Sequence, residues 1–329
     1  MSRSDIIDKF LEDNGWKGAK RIMLAGDASF RRYERLFLHS NTAVLMDALP
    51  DKEDIRPFMK IAKYLIANNL SAPHILASDT ENSLLLVEDL GDDLFARVLE
   101  KEPHRELELY IAAADVLVQL FREAERKVYS DIPVFDIERM LQQVLRLPEW
   151  FIPMVSGEAC AYSLKKEYLE LWENVLSRMP EMRQVMVLYD FHAENLLWLS
   201  TRERWGCTGL LDFQDAMIGS PAYDMVSFLE DARRDVSAET VAKTIEYYLE
   251  QTSIPKRDFM LSYHIMGAQR NFRIIGTFAR LSVRDRKLHY LSYMPRVWRH
   301  IEYDLSHPLL APLKDWIEKN IKLEWRIPK

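Results

Sequence analysis

Short apolar runs between residues 185 and 212 are the feature that most constrains what this chain can fold into. Each run is bounded by polar or turn-forming residues, which predicts a set of short strands separated by loops. The second run is expected to pair with the first as a hairpin. The predicted strands are Val185–Leu188, Asn195–Leu199 and Cys207–Asp212.

Three polar residues stand in this strand and loop pattern: Asp190, Asn195 five positions later, and Asp212 a further 17 positions on. Phosphoryl transfer requires a carboxylate that orients and deprotonates the attacking hydroxyl, and oxygen ligands that hold Mg²⁺ on the phosphates. A polar hairpin turn also favours Asp and Asn for backbone reasons. Such a turn does not account for a further acidic residue at the end of the next apolar strand. The pattern therefore predicts a phosphoryl-transfer site.

The composition limits the class of protein. With 329 residues, 48% of them hydrophobic, the chain can build one large two-lobed domain or two ordinary domains. A net charge of −7 argues against general nucleic-acid binding. No apolar run approaches the roughly 18 residues of a membrane span, and the acidic N-terminal residues are unlike a signal peptide. Cys160 and Cys207 lie far apart, so we expect a reduced, cytoplasmic protein.

The order of the elements predicts an α+β fold of the protein-kinase type. Five strand-like runs and one helical pattern (54–69) within the first 90 residues predict a small antiparallel sheet with a packed helix. A further helix is expected at 4–14, with Ser4 as its N-cap. The acidic, glycine-containing segment Glu88–Asp93 is the best linker candidate. Beyond it the periodicity is mainly helical, so we expect a nucleotide-binding lobe at 1–90 and a helical lobe with the catalytic loop and acceptor site at 91–329.

These motifs give the chain a family resemblance. It resembles the aminoglycoside phosphotransferase and choline kinase family, over roughly residues 20–300, and its sharpest motifs are Asp190–Asn195 and Leu211–Phe213. A finer similarity is to the bacterial anomeric kinases that phosphorylate N-acetylmuramate and N-acetylglucosamine at C1 during cell-wall recycling. The segments that carry the finer similarity are 24–33, 44–48, 88–91, 212–216, 269–272 and 278–281.

The resemblance implies ATP and Mg²⁺ as cofactors and assigns roles by position. Asp190 is implied as the catalytic base, with Asn195 and Asp212 as Mg²⁺ ligands. His192 matches a His common in the family, and its alternative is a structural His bonded to a backbone carbonyl. The remaining implied contacts are to ATP: hinge backbone groups of Glu88 to Leu90 at the adenine, and a phosphate loop with Gly26, Asp27 and Ser29.

Two departures from the family pattern concern the catalytic machinery. The family's catalytic loop usually begins with His, and this chain has Leu188 there. Kinases place a phosphate-binding Lys on the third strand, and this chain has Met46. Arg31 or Arg32 is the expected replacement, because both follow the presumed phosphate loop. An exposed strand residue is the alternative for each.

The charge distribution bears on the acceptor. Residues 254–300 contain ten Lys or Arg and two Asp, a net charge of +8 in an acidic chain. Arg270, Arg273, Thr277 and Arg280 recur at helical spacing, so they are expected on one face. That face suits a neutral or anionic sugar such as N-acetylmuramate, whose carboxylate can pair with Arg. A solvated face with internal salt bridges is the alternative.

Asp224 follows Tyr223 at a position where the family has an Asp that supports the catalytic region. Capping the helix there is its simpler role. The sequence predicts a small-molecule sugar kinase that uses ATP, with no nucleic-acid or membrane partner. One alternative is a nucleotide-binding pseudokinase with a regulatory or scaffold role, which Met46 and Leu188 motivate. A second is a kinase of another acceptor such as an aminoglycoside. A third is a docking site for nucleic acid or an acidic protein at 254–300.

Overall fold

The computed structural model describes residues 2–24, 31–124 and 130–327. The strands are β1 (Lys20–Leu24), β2 (Arg32–Leu38), β3 (Asn41–Asp47), β4 (Ile75–Asp79), β5 (Leu84–Val87), β6 (Val185–Val187), β7 (Leu196–Trp198), β8 (Thr208–Leu210) and β9 (Met217–Gly219). The α-helices are α1 (Arg3–Asp13), α2 (Arg56–Ala67), α3 (Phe95–Lys101), α4 (Glu106–Glu123), α5 (Ile137–Val144), α6 (Ile152–Ser156), α7 (Tyr162–Leu176), α8 (Ala222–Leu229), α9 (Ala238–Thr252), α10 (Lys256–Asp285), α11 (Met294–Asp304) and α12 (Ala311–Asn320).

The chain divides into two compact units. The first comprises residues 1–105 and 193–215, and the second comprises residues 106–192 and 216–329. The chain thus leaves the first unit, builds part of the second, and returns for the segment that carries Asn195 and Asp212. The expected division of function near residue 90 stays a prediction.

The first unit contains a five-stranded antiparallel sheet in the order β1-β2-β3-β5-β4. Leu36, Leu45 and Leu86 project from neighbouring strands into a core that Phe10 and Leu11 of α1 complete. The alternating apolar residues of these strands thus bury one face under the N-terminal helix. The predicted small sheet is confirmed.

The N-terminal helix begins earlier than expected. The N-cap of α1 is Ser2, and the predicted N-cap Ser4 lies inside the helix. The Ser2 side chain accepts from the Asp5 N–H, and the Asp5 carboxylate accepts from the Ser2 N–H. This reciprocal capping box satisfies two backbone donors that the helix leaves open, and it outcompetes a start at Ser4.

The predicted hairpin between residues 185–188 and 195–199 is wrong. In the first unit β7 pairs with β8, and in the second unit β6 pairs with β9. Both pairings are antiparallel; β7 and β8 are consecutive in the chain, whereas β6 pairs with a strand that lies beyond both of them. A short apolar run does not define its partner, because its pairing depends on which surfaces the surrounding elements bury.

Helix α10 organises the second unit. It has 30 residues and packs against α5, α8 and α11. Most of its middle is buried, including polar residues, which marks it as a central helix and not an amphipathic surface helix. The mainly helical character expected beyond the linker is confirmed.

Across the described part of the chain, none of the helices combines the length and the apolar character that a membrane crossing requires.

Candidate active site

Asn195 and Asp212 lie at the same end of a short hairpin in the first unit. Leu196 of β7 is opposite Leu210 of β8, and the Leu211 N–H donates to the Asn195 carbonyl at 3.0 Å. Asp212 adopts a left-handed backbone with φ of 55°. Such a conformation is uncommon for a non-glycine residue and is enriched at functional sites.

Phe213 anchors the Asp212 backbone to the interior of the same unit. Its ring is buried and stacks on Phe58 of α2, with 4.9 Å between centroids and 29° between planes. Because the neighbouring ring is fixed in the core, the Asp212 side chain projects from a rigid point. Gln214 adds a hydrogen bond of 2.9 Å from its Nε2 to Asp212 Oδ1.

The donor set of this hairpin end fits Mg²⁺. Asp212 offers a carboxylate whose side chain is 45% exposed, and Asn195 offers an amide oxygen at the start of the neighbouring strand. Mg²⁺ takes hard oxygen ligands, commonly one or two from the protein with the remainder from phosphates and water. The residues present are therefore those that a phosphate-bound Mg²⁺ requires.

Arg31 reaches Asp212 within the first unit. Its Nη2 lies 3.1 Å from Glu53 Oε2, and its Nη1 lies 3.6 Å from Asp212 Oδ1. The neighbouring Arg32 is exposed on β2, so of the two arginines expected to replace the strand-three Lys it is Arg31 that reaches the hairpin end. Met46, where that Lys is expected, is buried in the sheet. Glu53 belongs to no sequence motif that distinguishes it from the acidic residues around it, so its contact with Arg31 is visible only in the fold.

The other residues expected at ATP divide into two groups. Gly26, Asp27 and Ser29 lie outside the described residues. Glu88 accepts a 2.6 Å hydrogen bond from Arg202 and one of 3.2 Å from the His74 N–H, so its side chain is held in place.

Leu90 packs near Gly209 of β8, where an added Cβ would lie 3.3 Å from the Leu90 Cδ1. The linker is therefore attached to the β7–β8 hairpin by packing. A side chain at position 209 would push on Leu90 and on the neighbouring Leu197, so glycine permits this close approach.

In the second unit, the backbone that leads to Asp190 is held by Asp224. Asp224 Oδ2 accepts from the Leu188 N–H at 2.6 Å, and Oδ1 accepts from the Tyr189 N–H at 3.0 Å. Tyr189 has φ of 75°, and the Asp190 N–H donates to the Leu188 carbonyl at 3.0 Å. A tight turn with an unfavourable backbone angle therefore presents Asp190, and the buried carboxylate stabilises that turn.

Asp224 does not have the simpler role expected of it, which was to cap helix α8. The N-cap of α8 is Pro221, and no side chain caps this helix, so helix capping by Asp224 is wrong. Burial raises the pKa of Asp224 to about 7, the two backbone hydrogen bonds lower it, and the Asp190 charge raises it. Both carboxylate oxygens bond to the loop backbone, so Asp224 positions the loop.

His192 is buried in the second unit. Burial lowers its pKa well below the ordinary value, and the positive charges of Arg233, Arg270 and Arg273 lower it further. The imidazole is therefore neutral at physiological pH. This favours a supporting role over that of a charged acid.

The two arginines expected at the acceptor have different surroundings. The Arg270 Nη1 donates to the Glu230 carbonyl at 3.3 Å, in the interior. Arg273 donates to the Tyr189 hydroxyl, and its guanidinium lies 4.4 Å from the centroid of that ring. Tyr189 also accepts from Gln143 at 3.0 Å. Arg273 is thereby attached to the residue that precedes Asp190, whereas Arg270 belongs to the core around Glu230.

Solved structures show the same fold. Choline kinase LicA from Streptococcus pneumoniae superposes with a TM-score of 0.64 at 12% identity, covering 92% of this chain and 99% of that one. The ternary complex of streptomycin, ATP and APH(2″)-IIa gives a TM-score of 0.61 at 16% identity, covering 94% and 98%. These similarities confirm the predicted α+β, protein-kinase-like fold.

Curated relatives match at higher identity. A protein of Caulobacter vibrioides and one of Pseudomonas aeruginosa are each 34% identical to this chain, and both are named N-acetylmuramate/N-acetylglucosamine kinase. The first match covers 96% of each chain, and the second covers 90% of this chain and 87% of its relative. The model of the phosphotransferase enzyme family matches residues 22–260. Because this model covers more than half of the chain and the relatives match nearly all of it, the chain belongs to the phosphotransferase enzyme family.

Proposed function

We propose that the protein is an ATP- and Mg²⁺-dependent kinase that phosphorylates the anomeric C1 hydroxyl of N-acetylmuramate or N-acetylglucosamine. The observation that carries this proposal is the loop at Asp190, whose backbone is fixed by the carboxylate of Asp224. The names of the relatives, which match most of the chain, support the choice of acceptor. Because the reaction consumes ATP and acts on a small molecule, we place the protein in the cytoplasm, with no nucleic-acid or membrane partner.

In this proposal Asp190 accepts the proton of the acceptor hydroxyl. A carboxylate held by a rigid turn is preorganised for this proton transfer, and such positioning is the main contribution of the protein to phosphoryl transfer. Neutral His192 supports the loop from the interior.

The first unit handles the nucleotide. Bound Mg²⁺ neutralises charge on the phosphates, and Asp212 and Asn195 are the residues that would hold it. Arg31 supplies the positive charge that Lys supplies in other kinases, and Glu53 orients its guanidinium. Backbone groups of Glu88 to Leu90 would contact the adenine, and the loop with Gly26, Asp27 and Ser29 would contact the phosphates.

ATP turnover tests the proposal. We expect the purified protein to consume ATP with N-acetylmuramate and N-acetylglucosamine, and to show no stimulation by choline or kanamycin. Turnover with kanamycin and with neither sugar would show that the acceptor is an aminoglycoside. Asp190→Asn should lower kcat by a factor of about 10² to 10⁴, the usual contribution of a general base. An unchanged melting temperature would show that the variant is folded, and a kcat within threefold of wild type would refute the role of Asp190.

A second candidate is a nucleotide-binding pseudokinase. It is favoured by Met46, which puts a buried apolar side chain where kinases have their phosphate-binding Lys. Calorimetry with ATP and Mg²⁺, combined with assays of phosphate transfer to both sugars, separates the two. Tight nucleotide binding without transfer to any acceptor would favour the pseudokinase.

A further inference from the structure

Three arginines of the second unit stand close together, and we call them the arginine cluster: Arg146, Arg273 and Arg280. Arg273 and Arg280 lie two turns apart on α10, and Arg146 follows α5. The Arg146 Nη1 donates to the Thr277 hydroxyl at 3.0 Å, and that hydroxyl donates to the Arg273 carbonyl at 2.8 Å. Burial lowers the pKa of Arg146, and the positive charges of Arg273 and Arg280 lower it further.

A glycine on α10 makes this proximity possible. A Cβ added at Gly276 would lie 2.3 Å from the backbone carbonyl carbon of Arg146 and 2.4 Å from its oxygen. Such distances are far below van der Waals contact, so any other residue would force the segments apart. Gly276 thus allows the Arg146 backbone to touch the helix that carries the other two arginines.

The cluster has no carboxylate in direct contact with it among the described residues. In the described ranges, no nitrogen of its three guanidinium groups lies within 4.0 Å of a carboxylate oxygen, whereas Arg21, Arg35 and Arg296 all have such partners. Asp285, the acidic residue that follows on α10, pairs with Arg284 at 2.8 Å.

The partners that the cluster does have are neutral. They are the Tyr189 hydroxyl for Arg273 and the Thr277 hydroxyl for Arg146. Arg273 is 8% exposed, and its Nε and that of Arg280 are buried without a hydrogen-bond partner among the described residues. Buried charges are normally paired, so these groups have capacity for an anion.

The cluster adjoins the catalytic loop. Arg273 holds the hydroxyl and the ring face of Tyr189, the residue directly before Asp190, and Tyr189 stacks on Tyr223 with 5.5 Å between centroids. Burial lowers the pKa of Arg273, but Tyr189, Tyr223 and Asp190 outweigh it and raise the pKa. An anion bound by the cluster would therefore belong to a molecule that also approaches Asp190.

We propose that the arginine cluster binds the carboxylate of an anionic acceptor sugar. The inference rests on the proposed function and deepens it, because it assigns the residues that recognise the carboxylate by which N-acetylmuramate differs from N-acetylglucosamine. Guanidinium groups bind carboxylates through charge-assisted hydrogen bonds, and Arg146 and Arg273 supply the donors. The neutral sugar makes no use of these charges.

Steady-state kinetics with both sugars test the inference. Arg146→Gln is the main variant, because Arg146 is half-buried whereas Arg273 is almost fully buried. Its KM for N-acetylmuramate should rise about tenfold or more, the usual effect of losing a charge-assisted hydrogen bond. The KM values for N-acetylglucosamine and ATP should stay within about threefold of wild type. Arg146→Lys should recover part of the loss, and Arg257→Gln, an exposed change on the same helix, should alter neither sugar's KM.

The outcomes separate the inference from the function on which it rests. Equal effects on both sugars, no effect, or an effect on ATP alone would overturn the carboxylate site while leaving the kinase intact. If the wild type phosphorylated neither sugar, the proposed function would fail, and calorimetry would decide the site separately. The carboxylate site would be supported if the wild type bound N-acetylmuramate but not N-acetylglucosamine, and if Arg146→Gln abolished that binding. If the wild type did not bind N-acetylmuramate, the carboxylate site would be overturned.

Discussion

The Oδ2 atom of Asp224 lies 2.6 Å from the backbone nitrogen of Leu188, so a buried carboxylate on α8 fixes the turn that ends at Asp190. The family usually has His at the position of Leu188, and this chain has an apolar residue there. The loop is nevertheless held, because the contact from Asp224 is to the backbone and does not require a particular side chain at position 188.

Asp224→Asn should therefore reduce catalysis and stability together. The amide keeps the size of the side chain, but its NH₂ group would face a backbone N–H that needs an acceptor. Leaving a buried donor unsatisfied costs about 1–3 kcal/mol, so we expect a loss of that size in the free energy of unfolding, and a lower kcat. Urea denaturation and turnover measure the two effects. The exposed Glu246→Gln is the control, and a variant with wild-type kcat would show that the loop does not depend on Asp224.

Arg31 and Arg32 offer a matched pair for the ATP site. Arg31 contacts Glu53 and Asp212, whereas its neighbour is exposed on β2. Arg31→Met should raise the KM for ATP about tenfold, the scale of one charge-assisted hydrogen bond, and Arg32→Met should leave it nearly unchanged. Glu53→Gln should produce a smaller increase, because it loosens Arg31 without removing its charge. Equal effects of the two arginine variants would contradict the assignment of the phosphate contact to Arg31.

The buried acids Glu230 and Asp304 should make stability depend on pH. Asn271 bridges them with hydrogen bonds of 2.6 and 3.1 Å. Burial raises the pKa of Glu230 to about 7 from an ordinary 4.5 and also raises that of Asp304, to which the Glu230 charge contributes. Protonation of both carboxyl groups is thus more favourable in the folded state than in the unfolded state. The stability that Glu230 contributes through its bound proton is complete below pH 4.5 and is lost as the pH rises through 7.

The comparison that isolates this effect is wild type against Glu230→Gln. Burial lowers the pKa values of His264 and His300 to about 4, which acts in the opposite direction, but these histidines are common to both proteins. The free energy of unfolding of the wild type should fall relative to the variant between pH 5 and 8, by up to about 1.4 kcal/mol per pH unit for one proton. A constant difference across this range would rule out titration of the pair.

Gly276→Ala tests the contact that brings Arg146 to α10. The added methyl group would overlap the Arg146 carbonyl, so we expect a loss of about 1–3 kcal/mol in the free energy of unfolding and a higher KM for N-acetylmuramate. Gly206→Ala is the matched control, because the atoms nearest to its Cβ are at ordinary distances of 3.7 and 3.8 Å. If Gly276→Ala were as stable as wild type and unchanged in KM, the close approach would have no role at the acceptor.

Much of the fold and part of the site could be predicted because they depend on local patterns. Short apolar runs such as that of β3 predict the strands of the sheet, and the periodicity of α10 predicts the long helix. Asp190, Asn195 and Asp212 could be proposed for phosphoryl transfer because they recur at a characteristic spacing along one segment. The choice between Arg31 and Arg32 could not be made, because the two are adjacent and only the folded sheet separates a side chain that reaches Asp212 from one that faces solvent.

By itself, the sequence determined the kinase-like class and the excess of positive charge in residues 254–300, and it predicted Asp190, Asn195 and Asp212 as the residues of phosphoryl transfer. Only the tertiary structure decided the pairing of β6 with β9 and of β7 with β8, the hydrogen bonds from Asp224, the contact of Glu53 with Arg31, and the close approach of Arg146 to Gly276. Each of these is a contact between segments that local sequence patterns do not relate to one another. Such contacts form only when packing brings distant segments together, and periodicity and spacing carry no information about them.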